Sequence, residues 1–218
     1  MKKYTSILFD LDGTLIYSHQ GIFNGFRYAL KALGKEPPKE DYLRCCIGPS
    51  LMYSFQTFFG LDEETARVAT AKYREVYATN GVWENEPIEG ALETLKVLKE
   101  TGYVLAMATS KPLIYAEKIA KNHGFSPYLD AEVGSGIDGS FPTKAAVIRE
   151  VMRKLNVTAD ECLMVGDTKY DAEGAAECGV DCALLRVGYA ASEEEFHTPS
   201  ATYVFNDFAD LRTFLMEK

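Results

Sequence analysis

Tyr4-Thr5-Ser6-Ile7-Leu8-Phe9-Asp10-Leu11-Asp12-Gly13-Thr14-Leu15 decides how this chain is read. Its first half, Tyr4–Phe9, is short, apolar and bounded by polar residues, which predicts a buried strand. The strand runs directly into Asp10 and Asp12, two residues apart, and then into a glycine. If the extended backbone continues, alternation puts both carboxylates on one side. Two like charges ~4 Å apart repel by ~4 kcal/mol at an effective dielectric of about 20. Such a pair calls for a cation, or for one member to hold a proton.

Downstream of this segment the pattern is strand, helix, strand. Further strands are predicted at Tyr103–Ala108, Ala131–Val133, Cys162–Val165, Asp181–Arg186 and Thr202–Phe205. Amphipathic helices are predicted at Glu89–Thr101, Pro112–His123, Lys144–Leu155 and Tyr170–Cys178. This alternation predicts an α/β fold, a parallel sheet covered by helices on both faces. In such sheets ligands bind beyond the carboxyl ends of the strands, so the residues that follow each strand carry the functional argument.

One segment breaks the alternation. Residues 17–84 hold eight basic and eight acidic residues and twelve of the 26 aromatics, whereas the rest of the 218-residue chain carries the whole net charge of −9. The segment reads as all-helical. Ile22, Phe26, Ala29, Leu30 and Leu33 recur at helical spacing before Gly34, and further helices are expected at Asp41–Cys46, Leu51–Phe59 and Glu63–Thr79, the last capped by Asp62. A polar linker, Glu84–Gly90, leads out of it. The expected organisation is therefore a helical domain over 17–84 inserted into an α/β domain made of 1–16 and 85–218.

Composition narrows the function classes. A net charge of −9 argues against binding a nucleic-acid polymer or an anionic membrane, both of which need a basic surface. No apolar run approaches the ~20 residues that span a bilayer, and Asp10 and Asp12 end the N-terminal apolar stretch too early for a signal peptide. The five cysteines have neither disulfide nor zinc spacing, which predicts reduced thiols in a cytoplasmic protein.

The strand ends supply a consistent chemistry. After the second long strand come Thr109 and Ser110, hydroxyls where a helix begins and where free N–H groups suit phosphate. Thr143-Lys144 opens another helix with a fixed ammonium. Gly166-Asp167-Thr168-Lys169-Tyr170-Asp171 adds two carboxylates four residues apart. Carboxylate oxygens suit a hard divalent cation, hydroxyl and ammonium donors suit phosphate, and one carboxylate is left to move a proton. That combination fits phosphoryl transfer to a carboxylate nucleophile. Gly134-Ser135-Gly136-Ile137-Asp138-Gly139 has the spacing of a dinucleotide loop, but Ser-Phe-Pro-Thr follows it where a helix should open.

With these residues in place, the chain resembles the haloacid-dehalogenase-like phosphohydrolases, in the branch whose helical cap is inserted after the first motif. Asp10-Leu11-Asp12-Gly13-Thr14-Leu15 matches the first motif, Thr109 the second, Lys144 the third, and Gly166-Asp167 with Asp171 the fourth. Five fixed residues at roughly 5% frequency each give a chance match to the first motif of roughly one in ten thousand for a chain this long. The resemblance implies a Rossmann-like core and a helical cap. It implies Asp10 as nucleophile, Asp12 as general acid and base, and Thr109 and Lys144 as holders of the phosphoryl oxygens, helped by the Ser110 N–H. It also implies Mg²⁺ held by Asp10, Asp167 and the backbone carbonyl of Asp12, with Asp171 supporting the metal directly or through Lys144 or water. Within the insert, Arg44-Cys45-Cys46-Ile47-Gly48-Pro49-Ser50-Leu51 is similar to the substrate-facing cap loop of phosphoglycolate-phosphatase-like and 5′-nucleotidase-like members. Gly48 would admit the backbone close to the leaving group, and Arg44 would meet a substrate anion. Members often carry an arginine just before the third-motif lysine, where this chain has Phe141-Pro142.

The expected reaction is hydrolysis of a small phosphate ester, 2-phosphoglycolate or a nucleoside 5′-monophosphate, by a monomer or homodimer. The alternatives are a phosphomutase or dehalogenase on the same fold, or a non-enzymatic phospho-receiver. Dehalogenation has no use for Asp12 and Asp167, and a receiver would be erased by the acid/base at Asp12.

Overall fold

The computed structural model describes residues 4–190 and 193–217. In chain order its elements are β1 (Ser6–Phe9), β2 (Ile16–Tyr17), α1 (His19–Ala32), α2 (Glu40–Leu43), α3 (Leu51–Thr57), α4 (Glu63–Tyr77), β3 (Glu86–Pro87), α5 (Ala91–Glu100) and β4 (Val104–Pro112). There follow α6 (Leu113–Asn122), β5 (Ala131–Ser135), α7 (Lys144–Leu155), β6 (Cys162–Gly166), α8 (Lys169–Glu177), β7 (Asp181–Leu185), β8 (Tyr203–Phe205) and α9 (Phe208–Met216). The chain divides into two compact units, residues up to 16 together with 87 onward, and residues 17–86.

The first unit is an α/β fold around a six-stranded sheet of order β5-β4-β1-β6-β7-β8, with each neighbouring pair parallel. β1 is central. Ser6–Phe9 pairs residue for residue with Val104–Met107 on one side and with Cys162–Val165 on the other. The sequence of β1 follows from that position, because a strand buried on both faces has no polar face to show. Leu8, Ala106, Met164 and Leu184 point to one face and pack with Val147, Ile148 and Val151 of α7 and Ala172 and Ala175 of α8. Ile7, Phe9, Leu105, Met107, Leu163 and Val165 alternate with them and are equally buried. The chain moves outward from β1 through β4 to β5, then returns to the other side of β1 for β6, β7 and β8. The reversal at β1 makes the topological switch point where open α/β sheets place their ligands.

Several elements differ from the sequence expectation, the two-residue strands β2 and β3 among them. β4 does not stop at Ala108 but runs on to Pro112, and its register against β5 slips between Thr109 and Pro112. The expected helix Asp41–Cys46 is instead the one-turn α2 followed by a 3₁₀ turn, Arg44–Cys46, since Gly48 at φ 102° and Pro49 cut it short. α9 lies beyond the expected helices, and it carries a clear start signal. Asp207 accepts from the Ala209 and Asp210 N–H groups at 2.8 and 3.0 Å, and Phe208, Leu211 and Leu215 form its buried stripe. α9 is tied to α5 by Arg212 Nη1, which donates to Thr94 Oγ1 at 2.9 Å.

The second unit is helical, and its aromatics form its own core. Phe26 lies 4.9 Å from Phe55, 5.7 Å from Phe59 and 5.2 Å from Tyr73, centroid to centroid. Aromatic pairs in this range add packing energy beyond area burial. Ser50 and Asp62 cap α3 and α4 by accepting from the Tyr53 and Thr65 N–H groups. Among the described residues no helix is long and apolar enough to cross a membrane.

Leu8→Ala removes a fully buried side chain from the α7/α8 face of the sheet. It should lower the unfolding free energy by ~3 kcal/mol, read as a reduced urea midpoint with unchanged slope. An unchanged midpoint would contradict the packing described.

Candidate active site

β1 ends at Phe9, and Asp10 is the first residue beyond it, its N–H donating to Val165 O at 2.9 Å. The chain then folds tightly. The Thr14, Leu15 and Ile16 N–H groups all converge on Leu11 O, and the Gly13 N–H donates to Ile16 O at 2.8 Å. Gly13 takes φ 84°, in the left-handed region that favours glycine. A Cβ there would lie 2.2 Å from Asp167 Oδ2. A second glycine, Gly188, holds the same carboxylate from the other side, where a Cβ would come within 2.1 Å of that oxygen. Asp167 is fixed by the Tyr189 N–H, which donates to Oδ2 at 2.6 Å, and by Thr14 Oγ1, which donates to Oδ1 at 3.3 Å.

Lys144 enters from the first residue of α7. Thr143 caps that helix by accepting from the Ala146 N–H at 3.1 Å, so the ammonium is anchored at a helix start. Its Nζ lies 2.8 Å from Asp10 Oδ1 and 2.8 Å from Asp171 Oδ1, and it donates to Ala108 O at 3.1 Å. Asp171 also stabilises the start of α8. Its Oδ2 accepts from the Asp167 and Thr168 N–H groups and from Thr168 Oγ1, each at 3.2 Å. The loop before Thr143 turns through Gly136–Ser140 rather than opening into a helix, and Phe141 takes φ 49°.

Asp10, Asp167 and Asp171 are buried, and each offers an oxygen within 4.8 Å of the others. One ammonium faces three carboxylates. Burial pushes the Asp10 carboxyl up to about 6, with Lys144 opposing the rise and Asp171 and Asp12 adding to it. Asp167 is raised well above the usual carboxylate range by burial, then by Asp171 and Asp10. Burial tends to lower Lys144, but the two carboxylates outweigh it and hold the ammonium charged. Asp10 Oδ1 and Asp171 Oδ1 are buried yet receive no well-directed hydrogen bond; their contact with the ammonium is ionic. Excess negative charge with undirected oxygens is a donor set that fits a hard divalent cation.

The structure thus brings Asp10, Lys144, Asp167 and Asp171 into one cluster at the switch point. Asp12 is near enough to add to the rise at Asp10, but it is not one of the three clustered carboxylates. Its carboxylate turns to Lys111 Nζ at 2.7 Å, outside the three-carboxylate group. Thr109 is buried in β4 next to β1, and its Oγ1 accepts from the Lys111 N–H at 3.2 Å. Ser110 follows, its carbonyl accepting from Ser135 Oγ at 2.8 Å. Arg44 and Gly48 lie in the second unit, in the 3₁₀ turn and just beyond it. In that turn burial raises both the Cys45 and Cys46 thiols, which makes poor nucleophiles of them. Lys111, Thr14, Gly188 and the Tyr189 N–H were not singled out from sequence. Lys111 had a usable signal, since it lies two residues beyond Thr109 in an extended run. A backbone donor such as Tyr189 N–H has no side-chain signature at all.

Residues 7–185 match the family model for haloacid dehalogenase-like hydrolases. The chain belongs to that family. It is 38% identical to a 5′-nucleotidase of Pseudomonas aeruginosa over 98% of this chain and 96% of that one. It is 30% identical to a phosphoglycolate phosphatase of Vibrio parahaemolyticus over 86% of each. The fold matches the crystal structure of a predicted phosphatase from Clostridium acetobutylicum with a TM-score of 0.94 and 36% identity over 99% of both chains. Its enzyme class is that of a phosphoric monoester hydrolase.

The raised Asp10 carboxyl has a consequence for stability. With its folded value near 6 against an ordinary 3.8, the folded state binds more protons than the unfolded state between these limits. Stability contributed at this group is therefore present below pH ~4 and lost as pH rises to ~6. In chelator-treated protein, Asp10→Asn should gain stability relative to wild type across that window, approaching ~3 kcal/mol at ~1.4 kcal/mol per unit. Urea titrations at pH 4, 5, 6 and 7 would show it; a flat difference would count against the charge crowding.

Proposed function

We propose that the protein is a Mg²⁺-dependent phosphomonoesterase that hydrolyses a small phosphorylated metabolite through an aspartyl phosphate on Asp10. The observation that carries the reading is the buried cluster of Asp10, Lys144, Asp167 and Asp171 at the switch point of the sheet. Asp10 Oδ attacks phosphorus, a P–O bond forms, and the ester P–O bond breaks. Asp12 gives its proton to the departing oxygen. Water then attacks the same phosphorus and loses a proton to Asp12, the bond to Asp10 breaks, and inorganic phosphate leaves. Lys144 and Thr109 hold the phosphoryl oxygens and the Ser110 N–H assists, so that charge developing on them meets donors already in place. Asp10 and Asp167 side chains, the Asp12 carbonyl and Asp171 would hold Mg²⁺, which would supply positive charge against the phosphate oxygens.

Among substrates, a nucleoside 5′-monophosphate stands ahead of 2-phosphoglycolate, because the 38% identical relative that covers nearly the whole chain is a 5′-nucleotidase and the phosphoglycolate phosphatase stands at 30%. Arg44 and Gly48 are assigned to the substrate from the sequence argument alone. We place the reaction in the cytoplasm, and no partner besides the ester is required.

Steady-state assays with Mg²⁺ should show nucleoside 5′-monophosphates turned over with higher kcat/KM than 2-phosphoglycolate. Asp10→Asn should abolish turnover of every ester tested, by at least ~10³-fold, as expected for a lost nucleophile. Retained activity in that variant would overturn the mechanism, and the reverse substrate ranking would overturn the substrate. Mg²⁺ at tenfold its Kd should raise the melting temperature of chelator-treated protein by about 3–6 °C. Asp167→Asn should remove most of that shift, and an equal shift in the variant would place the ion elsewhere.

A further inference from the structure

Lys111 is nearly inaccessible, its side chain 4% exposed, and Asp12 beside it is 11% exposed. An ammonium is costly to bury and is kept only where it is paired. Here the pair is between one Asp12 oxygen, Oδ1, and Lys111 Nζ at 2.7 Å. The backbone is arranged for it. β4 and β5 pair at Thr109↔Gly134 and next at Pro112↔Ser135, so Ser110 and Lys111 form an irregular bulge. Bulges re-aim side chains and cluster beside active sites. The bulge is pinned at both ends, by Lys111 N–H to Thr109 Oγ1 and by Ser135 Oγ to Ser110 O. Gly134 lets β5 approach this point, since a Cβ there would sit 2.4 Å from Lys111 O.

We propose that Lys111 is a positioning residue for acid–base chemistry at Asp12, an inference that rests on the phosphatase reading above. By donating to Oδ1 it makes the two oxygens of the carboxyl unequal, so the transferable proton resides on Oδ2. In the first half-reaction that Oδ2 proton passes to the leaving alkoxide as its bond to phosphorus breaks and the bond to Asp10 forms. In the second, a proton from the attacking water returns to Oδ2 as the bond to Asp10 breaks. Lys111 itself gains and loses nothing in either step. It fixes which oxygen carries the proton and holds the carboxyl rotamer between the two transfers.

The role has a signature that mere structural support lacks. A leaving group that departs readily as an anion needs little protonation, whereas an alkyl alkoxide needs it fully, and a positioned general acid contributes ~10²–10⁴-fold. The test compares kcat/KM of wild type, Lys111→Met and Lys111→Arg on p-nitrophenyl phosphate and on a nucleoside 5′-monophosphate. Lys111→Met should lose about 100-fold on the alkyl ester and less than about fivefold on the nitrophenyl ester, and Lys111→Arg should recover most of the alkyl activity. The ratio of the two substrates on one preparation does not depend on the folded fraction. Equal losses on both esters, or no loss on either, would overturn the assignment. Should Lys111→Met fail to fold, the decision passes to Lys111→Arg, for which an alkyl activity as low as that of Asp12→Ala would overturn it. Wild-type protein inactive on both esters would instead refute the underlying phosphatase reading.

Discussion

Three carboxylates buried around one ammonium form the constraint on which this molecule turns. Asp10, Asp167 and Asp171 repel one another, and Lys144 at 2.8 Å from two of them offsets only part of the repulsion. Burial alone would protonate such a cluster. The fold spends much of its local structure on keeping the acids in place instead. Backbone N–H groups of Tyr189, Asp167 and Thr168 point at carboxylate oxygens, Gly13 and Gly188 leave no side chain in the way of Asp167, and the cap of α7 fixes the lysine. The negative charge left on the cluster is what a hard divalent cation would neutralise.

The sheet topology converts this local chemistry into a site. Asp10 follows β1, Thr109 and Lys111 end β4, and Asp167 follows β6, so one strand and its two neighbours deliver the chemical groups to the same edge. α7 and α8 add Lys144 and Asp171 from their first turns, and the same helices pack Val147, Val151 and Ala175 onto the sheet. Core packing and site geometry therefore share elements, and α7 or α8 cannot move without displacing a charged group.

The α/β class was legible because strand periodicity, helix periodicity and the residues after each strand agreed with one another. The bounds of Lys144–Leu155 are legible because Thr143 marks its start, and Asp207 marks the start of α9 equally well. The acids themselves were legible as types at strand ends. Their partnerships were not. Asp10 and Asp12 do repel, Asp12 adding to the rise at Asp10, but the chain turns at Leu11 and gives each its own lysine, Asp10 to Lys144 and Asp12 to Lys111. That divergence depends on a tight turn and on a bulge in β4, and pairing registers of that kind leave little trace in a single sequence. The aromatic-rich segment was legible as helical from its spacing, and its aromatics pack around Phe26 within its own unit.

In the proposed reaction the carboxylate of Asp10 carries the phosphoryl group between ester and water. Acid quenching during steady-state turnover, followed by peptide mass spectrometry, addresses it directly. With p-nitrophenyl phosphate, whose leaving group departs without a proton, the expected result is a phosphoryl adduct confined to the peptide bearing Asp10 and enriched in Asp12→Ala, where loss of the base stalls hydrolysis. Rapid turnover with no adduct at residue 10 in either protein, or an adduct on any other side chain, would contradict it.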